Sequence, residues 1–257
     1  MCDPTAIARA ILDAEALVKA IAPFSDTEPD LDLDTAYAVQ RIVIQAKLDA
    51  GERIVGAKLG LTSRAKQQAM GVSDPLYGWL TSGMVAATGV PLDLSGLIHP
   101  RVEPEIAFLI GEELRGPATV TSVLDATEAV FGALEVLDSR YEDFRFTLPD
   151  VVADNASSAR FVLGSVALPP AQAGDLRLTG VVLRRDGEVV ATAAGGAVMG
   201  HPAASVAWLV NQLAERRESL PAGSLVLSGG LTAPVPLGPG SCVSAEFDGL
   251  GSAEVFA

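Results

Sequence analysis

From about Val85 onward the chain is a succession of short apolar runs broken by Gly, Pro and Asp. Glu105–Ile110, Val130–Leu137, Val181–Arg185, Leu225–Leu227 and Val243–Phe247 are too short for typical helices and suit buried strands. Asp186-Gly187, between Val181-Val182-Leu183 and Val189-Val190-Ala191, has the chemistry of a tight hairpin turn. One helix interrupts the strands, from Pro202 through Ala207-Trp208-Leu209-Val210 to about Glu218. The first 50 residues differ in texture. Asp3-Pro4 supplies an N-cap and a proline at the first helical position, followed by an Ala/Leu/Ile-rich stretch to Ile21. A Pro/Asp-rich break from Pro23 to Asp30 precedes a second helix near Asp34, with Val39, Val43 and Ala46 at helical spacing and Gly51 as its stop. Arg53–Leu61 reads as a strand, and Ser63 caps a short helix ending at Gly71. This pattern predicts an α+β fold, with a helical N-terminal part over 1–84 and a β-rich domain over 85–257.

Charge narrows the partners. Lys+Arg total 18 and Asp+Glu total 32, so the net charge is 18 − 32 = −14. Such a surface repels phosphate backbones, which argues against nucleic-acid binding. It also repels an anionic substrate, so any acid bound here needs a local positive centre, and a metal ion supplies one. Cys2 and Cys242 form no C-x-x-C pair, which fits neither a thiolate zinc site nor a disulfide framework. The acidic N-terminal stretch is unlike a signal peptide, and no run approaches the roughly 20 apolar residues of a membrane span. We therefore expect a cytoplasmic protein with no membrane partner.

The sequence holds no G-x-x-x-x-G-K-[ST] and no G-x-S-x-G, nor a G-x-G-x-x-G between strand and helix. Its two histidines, His99 and His201, each precede a proline, so a His-based triad or zinc site is hard to assemble. Carboxylates, lysine or a hard metal must do the chemistry. In Val102-Glu103-Pro104-Glu105-Ile106, alternate residues of an extended chain share a face, so the two carboxylates point the same way. They repel each other unless a cation sits between them, and oxygen ligands suit Mg²⁺ or Mn²⁺. The competing explanation is a solvated acidic turn, since Glu112-Glu113 lie just beyond. Glu135 falls inside the apolar run Val130–Leu137, where a charge needs a partner: a metal, or an arginine such as Arg101 or Arg140. Lys58, among small and apolar residues, suits a proton shuttle or carboxylate clamp, or an edge-strand gatekeeper. Asp154-Asn155-Ala156-Ser157-Ser158 is a polar cluster that also suits an ordinary capped turn. Arg140 is the basic group that sequence places near the carboxylates, with a surface ion pair as its bland role.

Taken together, five segments in order resemble a known family. They are Gly56-Ala-Lys-Leu-Gly-Leu-Thr-Ser63, Gly71-Val-Ser-Asp-Pro-Leu-Tyr-Gly78, His99-Pro-Arg-Val-Glu-Pro-Glu105, Leu134-Glu-Val-Leu-Asp-Ser-Arg140 and Val152-Ala-Asp-Asn-Ala-Ser157. The resemblance, from about Asp34 to Phe256, is to the hydratase/decarboxylase family of meta-cleavage pathways within the fumarylacetoacetate hydrolase superfamily. It implies a mixed β-roll core and a Mg²⁺ or Mn²⁺ held by Glu103, Glu105 and Glu135. It also implies catalytic roles for Lys58 and for Asp74 on a lid-like segment. Leu59, Arg140, Ser157 and Ser158 are then the substrate-binding candidates. Two sister activities share the pattern. One decarboxylates 2-oxo-3-hexenedioate (4-oxalocrotonate) to 2-hydroxypenta-2,4-dienoate, and the other hydrates that dienoate to 4-hydroxy-2-oxopentanoate. His99-Pro100, Asp74–Gly78, Arg140–Phe146, Gly200–Ser205 and Ser228–Ala233 resemble the decarboxylase. A small 2-oxo dicarboxylate is then the substrate, and the family implies a homo-oligomer and a complex with the sister hydratase. C–C bond hydrolysis and a non-enzymatic role on the same scaffold are the competing classes.

Overall fold

The computed structural model describes residues 2–64, 67, 68, 72 and 74–257. Helix α1 (Pro4–Ala16) starts as expected: the Asp3 side chain accepts from the Thr5 backbone N–H, and Pro4 occupies the first turn. It stops before Ile21, because Val18 adopts a left-handed backbone (φ 51°) just beyond the Leu17 cap. Helix α2 (Leu33–Asp49) is capped by Asp32 on the Thr35 N–H, and Gly51 (φ 96°) turns the chain after it. The helix expected between Ser63 and Gly71 lies partly outside the described residues.

The remaining elements are β1 (Ile54–Gly60), β2 (Leu76–Thr81), β3 (Arg101–Ile110), α3 (Val120–Ala126), β4 (Thr127–Leu137), α4 (Leu148–Ala153), β5 (Ser158–Leu163) and α5 (Pro170–Ala173). Then come β6 (Gly180–Arg185), β7 (Glu188–Ala194), α6 (Pro202–Glu215), β8 (Leu225–Leu227), β9 (Val235–Pro236), β10 (Cys242–Phe247) and β11 (Gly251–Phe256). The hairpin turn at Asp186-Gly187 is present, with positive φ at both residues, between β6 and β7.

These strands form two sheets, giving the expected α+β architecture. The larger has the order β2-β1-β8-β3-β4-β5, with β9 beside β3, and the smaller has β11-β10-β6-β7. In the larger sheet β8 runs parallel to β1 and antiparallel to β3. The 84/85 division drawn from sequence texture therefore runs between strands of one sheet, since β1 and β2 precede it.

Alternation decides what each face of the larger sheet does. On β3 and β4, Val102, Ile106, Phe108, Leu134 and Val136 point into the main core, where Leu183, Val243, Ala245 and Phe247 of the smaller sheet meet them. Gly132 makes room for that contact, because a Cβ there would lie 2.4 Å from the Phe247 ring. Ala107, Ala133 and Leu227 share a second core with Leu80 and Phe161. A third cluster packs Ile7, Ile11, Val39 and Val43 of α1 and α2 against Val151, Val152 and Ala153 of α4 and Ala156 beyond it. Gln40, buried on α2, donates to the carbonyls of Tyr77 and Val152 and so ties α2 to β2 and α4.

Candidate active site

The strand register assembles the carboxylates. Glu103 and Glu105 occupy alternate positions on β3, and Glu135 of β4 is the direct cross-strand partner of Glu103. All three are buried, with Glu105 and Glu135 at 0% exposure. Each offers a carboxylate oxygen within 4.8 Å of the others. A solvated acidic turn is thereby excluded for the E-x-E pair. Lys58 approaches from β1 on the same face, since its neighbours Ala57 and Leu59 point into the main core. Its Nζ lies 2.9 Å from Glu135 Oε2 and donates to the Ala156 carbonyl at 3.2 Å. Glu135 therefore pairs with Lys58 rather than with Arg101 or Arg140. Nor is Lys58 a gatekeeper, because β1 is an interior strand, flanked by β2 and β8.

Burial pushes the Glu105 carboxyl well above the ordinary carboxylate range, and repulsion from Glu135 and Glu103 adds to it. Burial raises Glu135 too, with Lys58 opposing the rise. For Lys58, burial alone would favour the neutral amine, but Glu135, Glu103 and Glu105 outweigh it and hold the ammonium above its ordinary value. Glu105 Oε1 and Glu135 Oε1 are buried without a hydrogen-bond partner. Buried, clustered, oxygen-only donors with unmet lone pairs fit a hard divalent cation such as Mg²⁺ or Mn²⁺.

The turn after β8 fits closely around this cluster. The Gly229 N–H donates to Glu105 Oε2 at 2.6 Å. A Cβ on Gly230 would lie 2.1 Å from Glu103 Oε2, so that position admits no side chain while Glu103 keeps its place. Sequence reading assigned these glycines no such role, although a Gly-Gly pair directly after an apolar run is a signal of close backbone approach.

A cavity of about 300 Å³ opens over the cluster, lined among others by Lys58, Glu103, Arg101, Phe144, Phe146 and Ser157. Of the expected substrate-binding residues, Ser157 reaches this cavity. Ser158 is buried against Met84, and Leu59 faces the main core on the side of β1 opposite Lys58. Arg140 is only 4% exposed, and its guanidinium is engaged by the Asp154 side chain and by the carbonyls of Asp138 and Asp154. That work is internal: it pins the 154–158 turn, in which Asn155, Ala156 and Ser157 all have positive φ. Three consecutive left-handed non-glycine residues store strain. The Asn155 amide, bonded both ways to the Trp79 backbone, helps hold them, and the result delivers the Ala156 carbonyl to Lys58. Asp74 is exposed and borders a separate recess with Leu33, Tyr37 and Leu148, away from the three carboxylates. Arg101, Phe144 and Phe146 line the cavity although none was proposed as a site residue from sequence.

Comparison with known proteins agrees with this geometry. The family profile described as fumarylacetoacetate (FAA) hydrolase C-terminal matches residues 54–255. The 4-oxalocrotonate decarboxylase of Pseudomonas sp. (strain CF600) is 46% identical over 95% of this chain and 93% of its own length. The 2-keto-4-pentenoate hydratase of Paraburkholderia xenovorans (strain LB400) is 42% identical over 91% of this chain and 87% of its own. The solved 4-oxalocrotonate decarboxylase of Pseudomonas putida G7, complexed with magnesium and adipate, superposes with a TM-score of 0.95 at 43% identity, covering 98% of this chain and 96% of that one. On the profile match and on relatives aligned along nearly its whole length, this chain belongs to the fumarylacetoacetate hydrolase family.

Proposed function

We propose that this protein is a divalent-metal-dependent decarboxylase that converts 2-oxo-3-hexenedioate (4-oxalocrotonate) to 2-hydroxypenta-2,4-dienoate and CO₂. The observation that carries it is the buried Glu103–Glu105–Glu135 triad, whose Glu103 lines a cavity, in a chain related along its length to decarboxylases of that substrate. Mg²⁺ or Mn²⁺ held by the three carboxylates would supply Lewis acidity toward the 2-oxo acid end of the substrate.

The protein's own residues then do the rest. Glu103, Glu105 and Glu135, as carboxylates, would hold that cation and so set where the 2-oxo end can sit. Lys58, kept as an ammonium by the carboxylates around it, presents an N–H toward the cavity and is placed to give a proton as electrons move into the oxo group. Phe144, Phe146, Leu137 and Pro234 line the cavity with apolar surface that limits water around the reacting dicarboxylate. Ser157, which donates to Asp154, lies at the same wall. Asp74 would act by approaching the cavity from its present recess.

The sister reaction, hydration of 2-hydroxypenta-2,4-dienoate, is the alternative, because hydratase relatives align nearly as well. Incubating metal-loaded enzyme with each compound separates the two. CO₂ from 2-oxo-3-hexenedioate with no water added to the dienoate supports the decarboxylase, whereas the reverse result overturns it. Full activity after EDTA treatment without added metal would sink the metal role. We further propose a cytoplasmic homo-oligomer that associates with a sister hydratase, which would receive the unstable dienol. No described helix is long and apolar enough to cross a membrane.

A further inference from the structure

Among the described residues lining the cavity, Lys58 and Arg101 are the two cations. Lys58 is committed to Glu135 and the Ala156 carbonyl. Arg101 is not committed in this way: its guanidinium carbon lies over the Phe144 ring, 4.0 Å from the centroid, and no carboxylate pairs with it among the described residues. A half-buried arginine held on an aromatic face keeps its planar fork oriented for a ligand.

The seat for that fork is built with care. Phe144 also packs against His99, at 4.7 Å between ring centroids with the planes tilted by 35°. His99 is fixed in turn: its Nε2 lies 2.8 Å from the Ser139 carbonyl, and its backbone N–H donates to the Asp138 carboxylate. Asp143 and Phe144 both have left-handed backbones, with φ of 56° and 55°. For a bulky aromatic this conformation is costly and persists only where the surroundings impose it.

Position on the strand sets the spacing. Arg101, Glu103 and Glu105 alternate on one face of β3. Alternate residues of a strand lie about 6.8 Å apart. An extended six-carbon dicarboxylate measures about 6 Å between its carboxyl carbons by ordinary bond lengths. A substrate whose 2-oxo acid end sits at the glutamates thus extends its far end toward Arg101.

We infer that Arg101, seated on Phe144, is the specificity residue that grips the distal carboxylate of the substrate, the group lost as CO₂, and so selects dicarboxylates over 2-oxo monocarboxylates. The assignment rests on the proposed dicarboxylate reaction. The fork binds the carboxylate in the ground state, and the apolar wall around it limits the water that could replace this contact. Its contribution therefore falls on substrate affinity, hence KM, more than on kcat.

The test measures binding, so it can be read apart from turnover. Metal-loaded wild type, Arg101→Met and Arg101→Lys are titrated calorimetrically with adipate and, separately, with pyruvate. Arg101→Met is expected to weaken adipate by on the order of 10- to 100-fold, the range for lost charge-assisted hydrogen bonds, and pyruvate by less than about threefold. Arg101→Lys, a point charge without the fork, should fall between the wild type and Arg101→Met for adipate. Where a variant is active, KM for the dicarboxylate should rise with kcat within about threefold of wild type. Unchanged adipate affinity in Arg101→Met overturns the assignment. Equal loss of adipate and pyruvate also overturns it, because Arg101 would then act through the metal cluster. Failure of the wild type to release CO₂ while these binding differences persist would overturn the proposed reaction and leave the assignment of Arg101 standing.

Discussion

At the scale of single residues, the three glutamates are held in an arrangement that destabilises the metal-free protein. Burial and mutual repulsion raise Glu105 far above an unfolded carboxylate, and burial raises Glu135 as well. The folded state therefore binds more protons than the unfolded state once pH exceeds about 4.3, the unfolded Glu value. Stability of the metal-free protein falls as pH rises from there through the raised folded values. A divalent ion reverses this, because it competes with those protons. Scanning calorimetry with EDTA and with Mg²⁺ should show a larger metal-induced rise in Tm at pH 7.5 than at pH 5. Bound metal at 100 times its Kd would add about 2.7 kcal/mol. A metal effect that is larger at pH 5 would count against this account. At the same scale, Lys58→Met should lower kcat by about 10²–10⁴-fold, the range for loss of a positioned proton-transfer group. Stopped-flow absorbance of the substrate would read it, and circular dichroism would check that the fold survives.

The elements around the site convert sequence distance into fixed geometry. Arg140 and Asp154 form a buried pair, 5% and 0% exposed at their side chains, that pins the strained turn beneath Lys58. Burial outweighs Arg140 in raising the Asp154 carboxyl to about 6, so the pair works chiefly by geometry. Removing one partner of such a pair strands the other, and Arg140→Met is expected to lower unfolding free energy by about 3–5 kcal/mol in urea titrations. Gly230→Ala should behave differently. Its new Cβ meets the end of the Glu103 side chain, which can swing aside, so metal-free Tm should change by less than about 3 °C. Mg²⁺ affinity measured by calorimetry should nevertheless fall by about tenfold or more, as Glu103 leaves its position. How much of this the sequence revealed follows from physics. The E-x-E pair was legible because strand alternation is local, and Glu135 because a charge in an apolar run demands a partner. The pairing of Glu135 with Lys58 was not legible, since it depends on β8 bringing β1 beside β3 across more than a hundred residues. Arg140 was misplaced for the same reason: proximity to Glu135 along the chain says nothing about which face of the sheet a following turn adopts. Phe144 falls inside the Arg140–Phe146 segment, but its role was not legible there, because a left-handed aromatic has no signature in composition.

For the molecule as a whole, the helical N-terminal part is a structural component of the site. Helices α1 and α2 share a core with α4 and Ala156, and Ala156 carries the carbonyl that receives Lys58. A fragment of residues 85–257 lacks two strands of the larger sheet and this support. Expressed alone, it should be insoluble or lack protected amides in hydrogen exchange, and a folded fragment with native protection would establish the division that texture suggested. The placement of β8 also bears on how the chain is made. β1 and β3 emerge first in synthesis, yet the strand that belongs between them is Leu225–Leu227, more than a hundred residues after β3. Until the ribosome has released that segment, the facing edges of β1 and β3 have no native neighbour, and open edges invite pairing with other chains. The glycines that close around Glu103 and Glu105 lie just past β8, after Ser228. Each new molecule therefore completes its metal pocket only once the segment 225–230 has been made and has folded between β1 and β3.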